Sequence, residues 1–359
     1  MAPLGVALIG GGIFAKQEHM PAIMKCDSLS LKAIYSRSLK SAQDTAALYT
    51  KDGAGPDLYS ADSDSDSAHD YADLLRREDV YAVIIALPIV SQPEFIRAAL
   101  AAGKHVLAEK PLAPDVKTGR ALIDYYRGVS RESESKVTLS IAENFRFVPS
   151  FAYAAAEARK LGAVQHFSVR SFHLMGSDTK WYGTEWRRKP EYQGGFLLDG
   201  GVHQAAATRL LLGSEARPAQ VRAVTSQVQP HLAPIDTVSA IVETASGASG
   251  TFQLSCGSSL RAFEWALGLE RGTVTVQGET VTVRRNGGGG DGDDETTVRE
   301  FDRTTGVAAE VAAWAAGLVR GEPDDLQVPE QALADLEFLE KMFVSGEQDG
   351  KAQTYELQL

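Results

Sequence analysis

The segment Val6-Ala7-Leu8-Ile9-Gly10-Gly11-Gly12-Ile13-Phe14-Ala15 decides the reading of this chain. Four apolar residues run into three glycines, and a plausible helix follows. Gly10, Gly12 and Ala15 fit the spacing G-x-G-x-x-A. In such a turn the first glycine allows the tight bend and the second lets the backbone approach a pyrophosphate. The small third residue permits close packing of helix on strand. The helix start, Ile13 and Phe14 here, then turns free N–H groups toward the phosphates. A strand, this turn and a helix predict a dinucleotide site at the head of an α/β Rossmann domain.

The end of the second strand indicates which dinucleotide. A site for NAD usually places Asp or Glu there to accept from the ribose 2′-hydroxyl, whereas this chain reads AIYSRS, with Ser36 and Arg37 at that place. A carboxylate would repel a 2′-phosphate; a hydroxyl and a guanidinium would bind it. The expected cofactor is therefore NADP(H).

Outward from this point, short apolar runs alternate with helical patterns. Strands are expected at Leu4–Ile9, Leu31–Tyr35, Val80–Leu87, His105–Ala108 and Val137–Ile141, with helices such as Pro93–Ala102 and Val116–Tyr126 between several of them. That alternation means βαβ units and a parallel, doubly wound sheet. Val83–Ala86 is apolar on both faces, as a central parallel strand must be. After about Pro149 the rhythm changes. A helix at Phe151–Leu161 leads into strand-like runs at Val164–Leu174, Val221–Val228, Thr237–Glu243, Thr251–Leu254, Trp265–Glu270, Thr273–Val276 and Val281–Arg284. The chain closes with helices near Ala308–Val319 and Pro329–Val344. Consecutive strands with few helices between them predict an α+β domain with an open, mostly antiparallel sheet. The expected division is residues 1–145 for the NADP-binding domain and 146–359 for a substrate-binding and oligomerisation domain, the last helices packing back on the first. Ala61–Asp70 and Asn286–Glu295 are polar and low in complexity, and read as loops.

Bulk properties exclude several classes. A hydrophobic content of 44% in 359 residues supports two ordinary cores. A net charge of −11 without a run of Lys or Arg argues against nucleic acid or an anionic membrane as partner. No apolar stretch reaches the ~20 residues of a membrane span. The first fifteen residues lack the basic start of a secretory leader. Cys26 and Cys256 stand far apart, as expected of reduced thiols in a cytoplasmic protein. The acidic loops lack the spacing of a calcium loop, so no metal is expected.

Chemistry-bearing residues cluster at strand ends and at one later helix. Leu87 and Pro88 close the strand Val80–Leu87 at the carboxyl edge, where open α/β sheets bind ligands, and Gln92 follows shortly after. Glu109-Lys110-Pro111 closes the next strand; the proline keeps Lys110 extended at the sheet edge. Much later comes Gly194-Gly195-Phe196-Leu197-Leu198-Asp199-Gly200-Gly201-Val202-His203. With a helix starting after the glycines and running to Leu212, Asp199 lies near its N-cap and His203 one turn on, on the same face. The helix dipole disfavours imidazolium there and leaves His203 poised to exchange a proton. Just upstream, Lys180-Trp181-Tyr182 and Trp186-Arg187-Arg188 suit the wall of a sugar pocket and equally suit a loop packed on its own domain.

G-x-G-x-x-A, the E-K-P triplet, Asn144 and Arg146 within ENFRF, and G-G-x-x-x-D-x-x-x-H together span nearly the whole chain. In this combination the sequence resembles the glucose–fructose oxidoreductase / inositol dehydrogenase / rhizopine-catabolism (Gfo/Idh/MocA) family. The resemblance implies a catalytic group of Lys110, Asp199 and His203, with Lys110 also touching the nicotinamide end. His203 would be the general acid/base, and Asp199 would orient it or bind a substrate hydroxyl. Cofactor contacts are expected from Gly10, Gly12, Ile13, Phe14, Ser36, Arg37, Leu87, Pro88, Gln92, Glu109, Lys110 and Asn144. Ile89 and Gln92 stand where family members often carry Asn and His, and Ala206 where many have an acid after the histidine. These departures bear on the substrate pocket and leave hydride transfer untouched.

The expected function is NADP(H)-dependent hydride transfer to or from a sugar, polyol or related carbonyl or alcohol, by a homodimer or larger homo-oligomer. A reductase of a non-sugar carbonyl or imine is an alternative, because the fold fixes the cofactor and leaves the pocket free. A non-catalytic NADP(H)-sensing regulator is another, disfavoured by the intact Lys110, Asp199 and His203.

Overall fold

A computed structural model describes residues 2–51, 55–62, 69–132, 136–287 and 294–359, with side-chain placement omitted at Glu132. The chain divides into two compact units, Met1–Glu143 with Gly306–Ala332, and Asn144–Thr305 with Leu333–Leu359.

The first unit is built on six parallel strands, β1 (Leu4–Ile9), β2 (Leu29–Ser36), β3 (Asp57–Ser60), β4 (Ala82–Ile85), β5 (His105–Glu109) and β6 (Leu139–Ala142). Their order in the sheet is β3-β2-β1-β4-β5-β6. Order therefore reverses on either side of β1, which pairs with β2 and with β4. A crevice opens at the carboxyl ends of strands at such a reversal. Every residue of β4 and of β6 is buried, as expected of strands covered on both faces. The short β3 was not anticipated: its four residues, Asp-Leu-Tyr-Ser, give too brief a pattern for periodicity to reveal. The expected strand Val80–Leu87 contracts to Ala82–Ile85, and the chain has left the ladder by Ala86.

Gly306–Ala332 returns to this unit because the helix Val307–Arg320 carries an apolar stripe. Val307, Val311, Trp314, Ala315 and Leu318 join one core cluster with Met20, Ile23, Leu29 and Ala142. A division of the chain at a single point does not describe this exchange. The segment crosses because its buried stripe completes the core against the helix Met20–Lys25.

The second unit holds a nine-stranded sheet. Its strands are β7 (Val164–Leu174), β8 (Pro218–Ser226), β9 (Thr237–Thr244), β10 (Ser249–Ser255), β11 (Gly257–Leu269), β12 (Gly272–Gln277), β13 (Thr280–Arg285), β14 (Glu295–Glu300) and β15 (Gln353–Thr354). They lie in the order β14-β13-β12-β11-β7-β10-β9-β8-β15. β10 pairs with β7 in parallel, and the other neighbour pairings among the described residues of this sheet are antiparallel. β9 alternates buried and accessible residues along Val238–Thr244, the signature of a sheet with one covered face. The long helix Phe196–Leu212 is held to that covered face. Trp265 Nε1 donates to Thr208 Oγ1 at 3.0 Å, and Gln204 Nε2 to Ser171 Oγ at 3.3 Å. β14 is polar and almost wholly accessible, so it shows no apolar alternation by which the sequence could reveal it. Six central residues of each expected loop, 63–68 and 288–293, lie outside the described residues.

Candidate active site

In the first unit the expected cofactor residues converge on the end of β1. Gly10 has φ +122°, and a Cβ there would lie 2.3 Å from the carbonyl oxygen of Ala86. Only glycine fits both the conformation and the space. A Cβ on Gly11 would meet Ser41 Oγ at 2.3 Å and Ser36 Oγ at 3.0 Å. Gly12 differs, being exposed with nothing within 4 Å of its Cβ position. Helical geometry starts at Ile13, and Lys16 N donates to the Gly12 carbonyl at 3.1 Å. The residues present thus fit a dinucleotide phosphate: an open glycine face beside a helix start. Ser36 ends β2 in a buried position, and the neighbouring Arg37 is exposed. The next helix, Leu39–Ala46, is capped by Ser38, whose side chain accepts from Ser41 N, and Asp62 Oδ1 accepts from Leu39 N at 2.8 Å. A hydrogen bond from Ser60, followed by the one from Leu39 N, holds the Asp62 carboxyl below its ordinary range.

The Glu109-Lys110-Pro111 triplet is braced from several directions. The helix that follows the glycines passes through a π-helical turn, Ala15–His19, which ends at the fully buried His19. His19 Nε2 lies 2.6 Å from Glu109 Oε1. The other carboxylate oxygen accepts from Lys110 N at 3.2 Å. Gln92 Nε2 donates to the Glu109 carbonyl at 3.0 Å and to the Pro111 carbonyl at 3.3 Å. The Lys110–Pro111 peptide is cis. Gln92 is fully buried, and its amide nitrogen braces the strand end. Leu87 and Pro88 remain half-buried beyond β4. The sequence reading missed His19, because a histidine ten residues past the strand end gives no motif that pairs it with Glu109.

In the second unit Asp199 and His203 lie on the helix Phe196–Leu212. The glycines before it are demanded by contact. Gly195 has φ +51°, and its Cβ position lies 2.6 Å from the Ala233 carbonyl oxygen. Asp199 is the fourth helical residue, its N–H bonded to the Gly195 carbonyl at 3.2 Å, so it lies within the first turn and past the cap. His203 follows at the i+4 position, on the same face. Its ring stacks on Phe145, with centroids 4.5 Å apart and planes at 15°, which fixes the imidazole plane. Phe145 belongs to the ENFRF segment, where its neighbours are committed elsewhere. Asn144 donates its amide to the Thr305 carbonyl. Arg146 pairs with buried Asp335, which also takes Arg209 Nη1 at 2.6 Å.

The Trp181/Trp186 loop meets the catalytic candidates directly. Arg187 Nε donates to Asp199 Oδ2 at 2.6 Å, and both side chains are largely buried. The Arg187 guanidinium lies 4.0 Å from the ring centre of Trp186 and 5.3 Å from that of Trp181. Tyr192 is buried near them, and desolvation together with the Asp199 charge drives its hydroxyl pKa upward. Asp199 is therefore oriented by a cation that aromatic rings hold in place. Sequence alone left this loop undecided, since nothing marks Arg187 as the partner of a carboxylate 12 residues away. Among the described residues no group of three or more His, Cys, Asp or Glu is placed to hold a metal ion.

A Rossmann unit with an open glycine loop, joined to a unit bearing a helix with an Asp and a His one turn apart, defines a nucleotide-dependent oxidoreductase. Residues 4–132 match the oxidoreductase family described by its NAD-binding Rossmann fold, and residues 155–354 match its C-terminal alpha/beta domain. The chain belongs to the Gfo/Idh/MocA oxidoreductase family. It is 38% identical over 350 residues to dehydrogenase FPY6 of Fusarium mangiferae, covering 97% of each chain. It is 30% identical to D-xylose 1-dehydrogenase (NADP(+)) 2 of Haloferax volcanii over 241 residues, 66% of this chain and 69% of that one. An oxidoreductase structure from Thermotoga maritima superposes with a TM-score of 0.83 at 29% identity, covering 98% of both chains. The protein is accordingly an NAD(P)-binding dehydrogenase or reductase.

Proposed function

We propose that the chain transfers hydride between NADP(H) and a sugar, polyol or related carbonyl or alcohol compound. The observation that carries this reading is the Asp199–His203 face of one helix, with Asp199 held by Arg187 and His203 fixed against Phe145. The names of relatives agree with it, one being a D-xylose dehydrogenase that uses NADP(+). Bound at the glycine loop, the cofactor would supply or accept the hydride at its nicotinamide. The chain's own residues bind and move the proton. Gly10, Gly12, Ile13 and Phe14 form the phosphate turn, and Ser36 and Arg37 take the 2′-phosphate. Leu87, Pro88 and Glu109 line the crevice at the strand ends. Lys110 meets the nicotinamide end and the reacting oxygen. His203 gives or takes the proton, and Asp199 sets its orientation or binds a substrate hydroxyl.

Three measurements test this reading. NADPH binds more tightly than NADH, and Arg37→Ala weakens NADPH alone by roughly 10- to 150-fold, the usual range for losing a hydrogen-bonded charge partner; titrations giving equal affinities contradict the cofactor assignment. On a substrate found by screening sugars and aldehydes for NADPH oxidation, His203→Ala lowers turnover by ~10²–10⁴-fold with NADPH affinity nearly unchanged, while Lys110→Ala impairs both. Normal turnover by the His203 variant moves the acid/base role to Lys110. The outer face of the second unit's sheet exposes Val224 at 69% and Ile241 at 56%, and we propose that it is covered in a homodimer or larger homo-oligomer. Sedimentation at micromolar concentration reports an assembly if this holds, and a monomer refutes it.

A further inference from the structure

We propose that the substrate carries an oxyanion, a carboxylate or phosphate, which is bound by the free edge of the Arg187 guanidinium beside Asp199; this rests on the oxidoreductase reading above. The guanidinium has five N–H donors in a planar fork. Nε is used on Asp199, and Nη1 reaches Thr184 Oγ1 at only 3.5 Å. Among the described residues no acceptor is within reach of Nη2, although the side chain is only 14% exposed. Trp186 and Trp181 both lie against the guanidinium, and at 4.0 Å the Trp186 ring leaves no room for water on that side. A cation held against two indoles still presents its remaining N–H donors, and with them its charge, along the unused edge. Asp199 takes one donor and neutralises part of the charge, and the surrounding segment is itself basic. Lys180–Lys189 reads KWYGTEWRRK, four cations against one acid, in a chain of net charge −11. Lys180 Nζ sits 4.7 Å from the ring centre of Trp181, so a second cation shares the same indole.

A further polar group waits in the same place. The Tyr192 hydroxyl is buried and has no hydrogen-bond partner among the described residues, and it lies within electrostatic reach of both Asp199 and Arg187. A buried hydroxyl without a partner is costly, and a ligand oxygen would satisfy it. A neutral hydroxyl can accept from the Nη2 edge or the phenol but brings no charge to meet the cation, whereas an oxyanion accepts from the phenol and the guanidinium together and pairs with that charge.

Trp181 and Trp186 report on the site, so binding is read from intrinsic tryptophan fluorescence of the full chain with saturating NADP+, without turnover. Two matched pairs serve as probes, D-gluconate against D-glucitol and D-glucose 6-phosphate against D-glucose. In at least one pair the anion binds about 10-fold or more tightly than its neutral partner. Arg187→Gln removes that preference, read as the ratio of the two affinities whatever loss both members share; a purely structural Arg187 would weaken both members alike and leave the ratio as it was. Arg187→Lys keeps part of the preference, because a point charge replaces the fork, and supplies the same ratio should the Gln variant fail to fold. The gluconate pair and the phosphate pair separate the two anions. No preference in either pair, or a preference that survives Arg187→Gln, overturns the proposal. Failure of the oxidoreductase reading is seen separately, as the lack of NADPH turnover on any compound of the screen.

Discussion

The close approach of Gly10 to the Ala86 carbonyl is the constraint on which the nucleotide half of the structure depends. With φ at +122° and 2.3 Å between the Cβ position and that oxygen, only glycine lets β1 end here between β2 and β4. The bend delivers Gly12 to an open position and starts a helix at Ile13. The helix then winds through the π turn that brings His19 to Glu109, and Glu109 holds the backbone of Lys110. A single steric condition thus leads, through one extra residue per turn, to the placement of a catalytic candidate on a different strand. Such π turns recur at functional sites because they redirect side chains without breaking a helix.

The second unit solves the same problem with charge. Asp199 lies past the helix cap, within the first turn. Arg187 donates to its carboxylate, and two tryptophans lie against the Arg187 guanidinium. Removing one member of a largely buried pair leaves the other uncompensated, so loop and helix act as one element. His203 depends less on charge, because stacking on Phe145 fixes its plane.

The sequence was most legible where geometry is local. The glycine turn, the alternation of β9 and the helix through Asp199 and His203 follow from spacing along a few residues. It was least legible where two distant positions settle each other. Nothing in the order of residues pairs His19 with Glu109, or names Met20 and Ile23 as the residues that Val307–Leu318 meets. Gln92 illustrates the same limit. Its place after a strand end suggested a ligand contact, and nothing in the sequence shows that its amide nitrogen also braces the Glu109 and Pro111 carbonyls. The bond from the Asn144 amide to Thr305 is equally invisible in the order of residues. β3 and β14 escaped for simpler reasons, one too short and the other polar along both faces.

The central claim is that the glycine turn holds a nicotinamide dinucleotide, and Gly12→Leu tests it most directly. The Cβ position of Gly12 meets nothing within 4 Å, so the fold accommodates a side chain there, while the space that a phosphate needs is filled. The account predicts an unfolding free energy within about 0.5 kcal/mol of the parent, as for an exposed substitution, together with loss of saturable NADPH binding in calorimetric titration. A folded Gly12→Leu protein that binds NADPH with undiminished affinity would contradict it.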